Sequence, residues 1–166
     1  MADQIRVRFA DRMDLDGCIA LDHPDMPAEF IQRKVEQREI IVAEKAGQLV
    51  SYLRLEYLWS LVPYIALIWV VEDQRQQGVG RAMLRYLENV LCEQGHTALY
   101  SSSQANEPEP QAWHRHAGFE ECGFIAGING EGIGEIFFRK DLSCLTQIIA
   151  HKETSAPWER KTKSQL

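Results

Sequence analysis

The sequence predicts an α+β (α/β mixed) domain, with a mixed, mostly antiparallel central sheet of about seven strands flanked by about four helices. Three observations predict it. Along the chain the apolar spacing switches between a period of two and a helical period, giving the order β-α-α-β-β-β-α-β-α-β-β. Strands follow one another without an intervening helix at two places, which argues against a doubly wound parallel sheet. One segment is strongly amphipathic: Val79, Ala82, Met83, Tyr86, Leu87, Val90 and Leu91 share one helical face, with Arg81, Arg85, Glu88 and Asn89 off it.

Each element has a local reason. Ile5–Phe9, IRVRF, alternates apolar and basic residues as a half-buried strand does. Asp11 is placed to cap a short helix carrying Leu15, Cys18 and Ile19. The run DHPDMP breaks the chain, and a second helix starts near Pro27 with Phe30, Ile31, Lys34 and Val35 at helical spacing. Glu39–Lys45 and Leu49–Trp59 read as strands joined by a tight AGQ turn. Pro63 is expected to separate the second of these from the apolar strand YIALIWVV. The amphipathic helix follows and stops at Gly95. TALYSSS is the fifth strand, and NEPEP starts a helix that ends at Gly118. Phe124–Ile128 and Glu135–Lys140 are expected as strands of a hairpin around NGEG.

The chain of 166 residues is expected to form one domain over residues 1–142, with a C-terminal extension, 143–166, whose polar part from about His151 is expected to be mobile. A net charge of −6 disfavours nucleic acid, which needs a basic face. No apolar run is long enough to span a bilayer and no leader is expected, so the reading is a cytoplasmic protein with no membrane partner. Cys18, Cys92, Cys122 and Cys144 show no metal-ligand spacing, so no metal is expected, and all four are expected as single thiols.

The apolar strand runs into VVEDQRQQGVGRAML. There is no Gly-x-x-x-x-Gly-Lys-Ser/Thr here, and Gly78-x-Gly80 lacks the third glycine of a dinucleotide fingerprint. A strand that feeds a helix N-terminus through glycines still presents unpaired N–H groups and a positive dipole end to an anion.

Arg75-Gln76-Gln77-Gly78-Val79-Gly80 resembles the acetyl-CoA-binding motif of the GNAT superfamily of N-acetyltransferases, Gln/Arg-x-x-Gly-x-Gly/Ala. AWHRHAGF is similar to that family's second signature, and the resemblance covers roughly Ile5 to Leu142. It implies a GNAT-like sheet whose fourth and fifth strands splay apart. It implies that backbone N–H groups of Gln76, Gln77, Gly78, Val79, Gly80 and Arg81, with Arg75 beside them, hold the pyrophosphate of acetyl-CoA. It further implies that Ile68, Trp69 and Val70 pair with the pantetheine, the Val70 N–H lying near the acetyl carbonyl. The implied reaction is direct attack of a primary amine, of a small molecule or peptide, on the thioester. The alternative is a regulatory module of the same fold that binds CoA or acetyl-CoA without turnover. A homodimer is left open.

The sequence departs from the family pattern at His114, which stands where a thiolate-protonating Tyr is usual, four residues before Gly118. Imidazole can donate a proton there, or pack as a polar residue. Asn106 resembles the family asparagine one residue out of place, as a cofactor contact or a helix cap. Glu56 and Glu72 are the candidate general bases, and Ser101, Ser102 and Ser103 could bind a water. Asp22, Asp25 and Glu29 are expected near the acceptor, where they would meet a cationic amine.

Overall fold

The computed structural model describes residues 4–144. Among them, seven strands form one sheet in the order β1-β2-β3-β4-β5-β7-β6. They are β1 Arg6–Phe9, β2 Ile40–Lys45, β3 Gln48–Leu58, β4 Val62–Val70, β5 Ala98–Gln104, β6 Glu120–Ile125 and β7 Glu135–Asp141. The helices are α1 Leu15–Leu21, α2 Ala28–Glu36, α3 Val79–Glu93 and α4 Pro108–His116. All neighbouring strands run antiparallel except β4 and β5, which are parallel. The element order and the mixed sheet are as the sequence predicts.

The sheet buries a different core on each face. On one face α3 and α4 cover Leu53, Leu55, Ile65, Leu99 and Phe138 with Val79, Met83, Leu84, Leu87 and Leu91. On the other, α1 and α2 cover Ile40, Val42 and Tyr52 with Cys18, Ile31 and Val35. This second layer packs on β2, β3 and β4 only. Asp11 caps not α1 but the 3-10 turn Arg12–Asp14 that leads into it, accepting from the Met13 N–H at 2.8 Å while Asp14 accepts from the Asp11 N–H at 2.8 Å. The bidentate Arg8 guanidinium, at 2.5 and 2.9 Å, holds the Asp14 carboxyl below the usual carboxylate range.

Several expectations are corrected. Pro63 does not separate the strands; it lies inside β4 opposite Tyr57, and the chain reverses at Trp59 and Ser60, with φ of 51° and 60°. Pairing with β5 begins only at Tyr64, so the missing proline N–H breaks no bond between these strands. The first strand of the last hairpin is Glu120–Ile125, not Phe124–Ile128. Every β6 residue is exposed, so the strand has no in/out alternation to read, and its register comes from pairing with β7, Glu120 opposite Arg139 through Ile125 opposite Glu135.

The four cysteines are not all single thiols. Cys92 and Cys144 form a disulfide, with Cα atoms 5.4 Å apart, while Cys18 and Cys122 are free. The β7 strand ends beside the start of β5, where the Leu142 N–H donates to Thr97 O at 2.9 Å, and this return brings Cys144 to the end of α3. The polar stretch from His151, expected to be mobile, lies outside the described residues. Among the described residues no helix is long and apolar enough to cross a membrane.

The parallel β4–β5 junction shapes the site. It holds only two register pairs, Tyr64 with Tyr100 and Ile65 with Ser101. Immediately beyond, the β3–β4 register slips: Leu55 faces Ile65 but Arg54 faces Leu67, so Ala66 is an extra residue. Such a bulge bends its strand and raises its twist. From Leu67 to Val70, β4 has β3 on one edge and no strand on the other.

Candidate active site

Val71 donates its N–H to Val50 O at 3.0 Å, across the sheet toward β3. By the alternation of a strand, Val70 and Ile68 turn their N–H and C=O to the free edge. Trp69 between them is 45% exposed. Arg75 ties this edge to the following turn: its Nε donates to Val70 O at 3.1 Å and its guanidinium lies 4.8 Å from the Trp69 ring centroid.

The turn then winds into α3 through two left-handed residues, Gln76 at φ 61° and Gly78 at φ 82°. Alternating hand curls successive N–H groups toward one point, a geometry suited to anions. Among the described residues no backbone carbonyl accepts the N–H groups from Gln76 to Arg81; the first one engaged is Ala82, with Gly78 O at 2.9 Å. They open onto the positive end of a 15-residue helix. Gly80 is close to α4, since a Cβ there would lie 3.4 Å from Trp113 Nε1. Lys45, which sequence reasoning missed, fixes the turn by donating to Gln74 Oε1 at 2.9 Å and Gln77 Oε1 at 3.1 Å. It ends β2, far from the motif in sequence, so only the fold brings it there.

His114 faces inward and is 3% exposed. Its Nδ1 lies 2.7 Å from Pro110 O, which can only accept, so Nδ1 carries the proton. Nε2 of the neutral ring then accepts from the Ser101 hydroxyl at 2.8 Å. The ring stacks on Phe138 at 4.5 Å, and burial pushes its pKa down. Ser103, on the same face of β5 two residues past the last β4–β5 pair, is 7% exposed and its hydroxyl has no partner among the described residues. An orphaned buried hydroxyl calls for a ligand or water.

Asn106 precedes the α4 cap position, which is Glu107 and carries no side-chain cap bond. Glu72 sits exposed in a short 3-10 turn between β4 and α3. Glu56 lies opposite Tyr64 and is ion-paired with Arg54. The three acids near α1 and α2 do not act together. Asp22 is buried, accepting from Tyr52 Oη at 2.5 Å and Arg54 Nε at 2.8 Å, whereas Asp25 is 91% exposed and Glu29 is exposed on α2.

Sequence reasoning named Ser102 as a possible water site but missed the row of polar side chains it joins at the vertex of the splay, on the face opposite His114. Tyr64 Oη lies 2.6 Å from Ser102 Oγ, Ser102 donates to Glu135, and Asn129 Nδ2 donates to the other Glu135 oxygen at 2.8 Å. Burial pushes the Tyr64 phenol up in pKa. Glu135 reads in the sequence as an ordinary strand-end acid, and only the β5–β7 pairing sets it beside Ser102. Among the described residues no group of His, Cys, Asp and Glu is placed to hold a metal ion.

The comparisons with known proteins follow this geometry. Residues 10–124 match the family model described as "Acetyltransferase (GNAT) family". No curated protein sequence matches the chain. Among solved structures, a GNAT-family acetyltransferase from Bacillus cereus ATCC 10987 superposes with a TM-score of 0.71 at 18% identity, over 83% of this chain and 97% of that one. Ard1 from Thermoplasma volcanium gives 0.74 at 14% identity, over 83% and 97%. A ribosomal-protein-alanine N-acetyltransferase from Brucella melitensis gives 0.72 at 23% identity, over 82% and 99%. These likenesses concern the fold, and the family match spans more than half of the sequence. A splayed β4–β5 junction, a glycine turn of free N–H groups and that match agree: the chain belongs to the GNAT acetyltransferase family.

Proposed function

We propose that the protein is an acetyl-CoA-dependent N-acetyltransferase that passes the acetyl group directly to a primary amine of a small molecule or peptide. The observation that carries this reading is the run of N–H groups from Gln76 to Arg81, unclaimed by any backbone carbonyl at the start of α3. It suits a pyrophosphate, and Lys45 and Arg75 add positive charge beside it. The edge-facing N–H groups of Ile68 and Val70 and the Ile68 C=O suit an amide-bearing chain laid along β4, as an added strand would be. The orphaned Ser103 hydroxyl supports a ligand in the same splay. When bound, acetyl-CoA supplies an electrophilic thioester carbonyl and a thiol leaving group.

The roles of the protein groups are proposals of the same kind. The Val70 N–H, turned to the free edge, is a donor for a carbonyl oxygen that gains charge. His114 in its neutral form holds Ser101 and anchors α4; a part as proton donor would have to pass through the Ser101 hydroxyl. That commitment of His114 to internal bonds favours the alternative, a CoA-binding regulatory module without turnover. For location we propose the cytoplasm, on which the cysteines divide, two being thiols and two joined.

Thiol release from acetyl-CoA, measured over a panel of primary amines alongside calorimetric titration with CoA, tests the proposal. CoA binding with amine-dependent thiol release is expected. Binding without release from any amine would establish the regulatory module, and absence of binding would remove both readings.

A further inference from the structure

The polar row at the splay adjoins an apolar hollow, and together they specify what kind of amine would enter. Because α1 and α2 cover only β2, β3 and β4, no helix among the described residues covers the same face of β5, β7 and β6. There Leu58, Val62, Tyr100, Phe124, Ile125 and Phe137 line a hollow of about 680 Å³, within the usual size of small-molecule sites. It adjoins the splay through Phe137 and Ile125. Phe137 stacks on the Tyr64 ring at 6.1 Å and pairs in register with Ser102, and Ile125 pairs with Glu135.

The charges at the rim are unequal. Glu56 is ion-paired with Arg54, which also serves Asp22. Glu135 has neutral neighbours only, Ser102 and Asn129, and makes no ion pair among the described residues. One uncompensated carboxylate therefore stands between the apolar hollow and the free edge of β4.

Resting on the acetyltransferase reading, we propose that the acceptor is a primary amine with a single positive charge on an aromatic or branched apolar body. The body fills the hollow, the ammonium meets Glu135, and Glu135 takes its proton. The neutral nitrogen then forms the C–N bond to the thioester carbonyl carbon, the C–S bond breaks, the nitrogen, positive after bonding, gives its second proton to solvent, and the departing thiolate takes a proton from solvent. Ser102 and Asn129 are positioning residues that aim the carboxylate. A polycation would bring charges that the hollow leaves unpaired, and burying an unpaired charge is costly.

The test is thiol release by the full chain with phenethylamine, tryptamine, spermidine, an aminoglycoside, and peptides beginning with Phe or Gly. The aromatic amines should exceed spermidine and the aminoglycoside in kcat/KM by about tenfold or more, the discrimination expected of a hydrophobic pocket. The Phe-led peptide should exceed the Gly-led one only if the hollow also admits a peptide N-terminus. Glu135→Gln should lower kcat/KM for phenethylamine by about 10²–10⁴-fold, leave the KM for acetyl-CoA unchanged, and recover in part in Glu135→Asp. Phe137→Ala should raise KM for phenethylamine more than it lowers kcat. Preference for spermidine or the aminoglycoside, or a Glu135→Gln protein with full activity, would overturn the inference while leaving acetyl transfer standing. Calorimetric CoA binding without release from any amine would overturn acetyl transfer itself and this inference with it.

Discussion

At the scale of single residues, His114 shows how burial changes what a side chain can do. An imidazole with Nδ1–H on Pro110 O and Nε2 accepting from Ser101 has both nitrogens engaged, and its folded pKa lies below the ordinary 6.5. A lowered folded pKa means that the unfolded chain binds the extra proton first as pH falls. The group therefore adds stability above the unfolded value, and that stability is lost as pH drops from about 6.5 toward the folded value. His96, whose pKa burial also lowers, acts in the same direction. The free energy of unfolding should accordingly fall between about pH 7.5 and 5.5, and His114→Gln should remove part of that fall. The same variant should keep kcat within about tenfold, because loss of a true general acid costs about 10²–10⁴-fold. A large loss of kcat with unchanged stability and unchanged pH dependence would return His114 to the role of proton donor.

At the scale of elements, the two glycines before α3 do different work. Gly78 is left-handed with open space around it, whereas Gly80 is helical and lies close to Trp113. Gly78→Ala should lower stability by about 1–2 kcal/mol, the cost of a Cβ in the left-handed region. Gly80→Val should leave the melting temperature nearly unchanged but weaken CoA at least about tenfold, since its extra bulk is forced between Trp113 and the N–H groups of the turn. Melting and calorimetry separate the two, and a Gly80→Val protein that binds CoA normally would show that the anion lies elsewhere. This element was legible in the sequence because a local pattern makes it: a strand, a turn with glycines, then a helical stripe. The order of elements along the chain was legible for the same reason. Lys45 and Glu135 were not, since each reaches its place through strand pairing between distant segments. Asp22 misled for a related cause: whether an acid faces solvent or a buried Arg54 depends on β3, 32 residues later. The exposed β6 lacked any alternation by which to find it.

At the scale of the molecule, the two halves of the sheet meet at one opening. The bulge at Ala66 parts β4 from β5, α3 and α4 frame the parting on one face, and Tyr64, Ser102 and Glu135 line it on the other. The Cys92–Cys144 bond lies away from this vertex, at the opposite end of α3 from the glycine turn, where it ties the strand β7 that carries Glu135 to the helix that presents the free N–H groups. It closes a loop with a sequence separation of 52. Restricting the unfolded chain over that length is worth about 4 kcal/mol in the chain-entropy account, and about 2–4 kcal/mol is typical in practice. Reduction should therefore lower the free energy of unfolding by about 2–4 kcal/mol, seen as a lower urea midpoint, and Cys144→Ser should reproduce it and abolish the difference between reduced and oxidised protein. The Cys122 thiol provides the control, because Cys122→Ser should leave the redox dependence intact. CoA affinity should change little in Cys144→Ser at temperatures where the fold persists, since the bond touches neither the turn nor the β4 edge. If Cys144→Ser instead loses CoA binding while still folded, the link does more than restrain the unfolded chain, and the geometry of α3 at its far end depends on it.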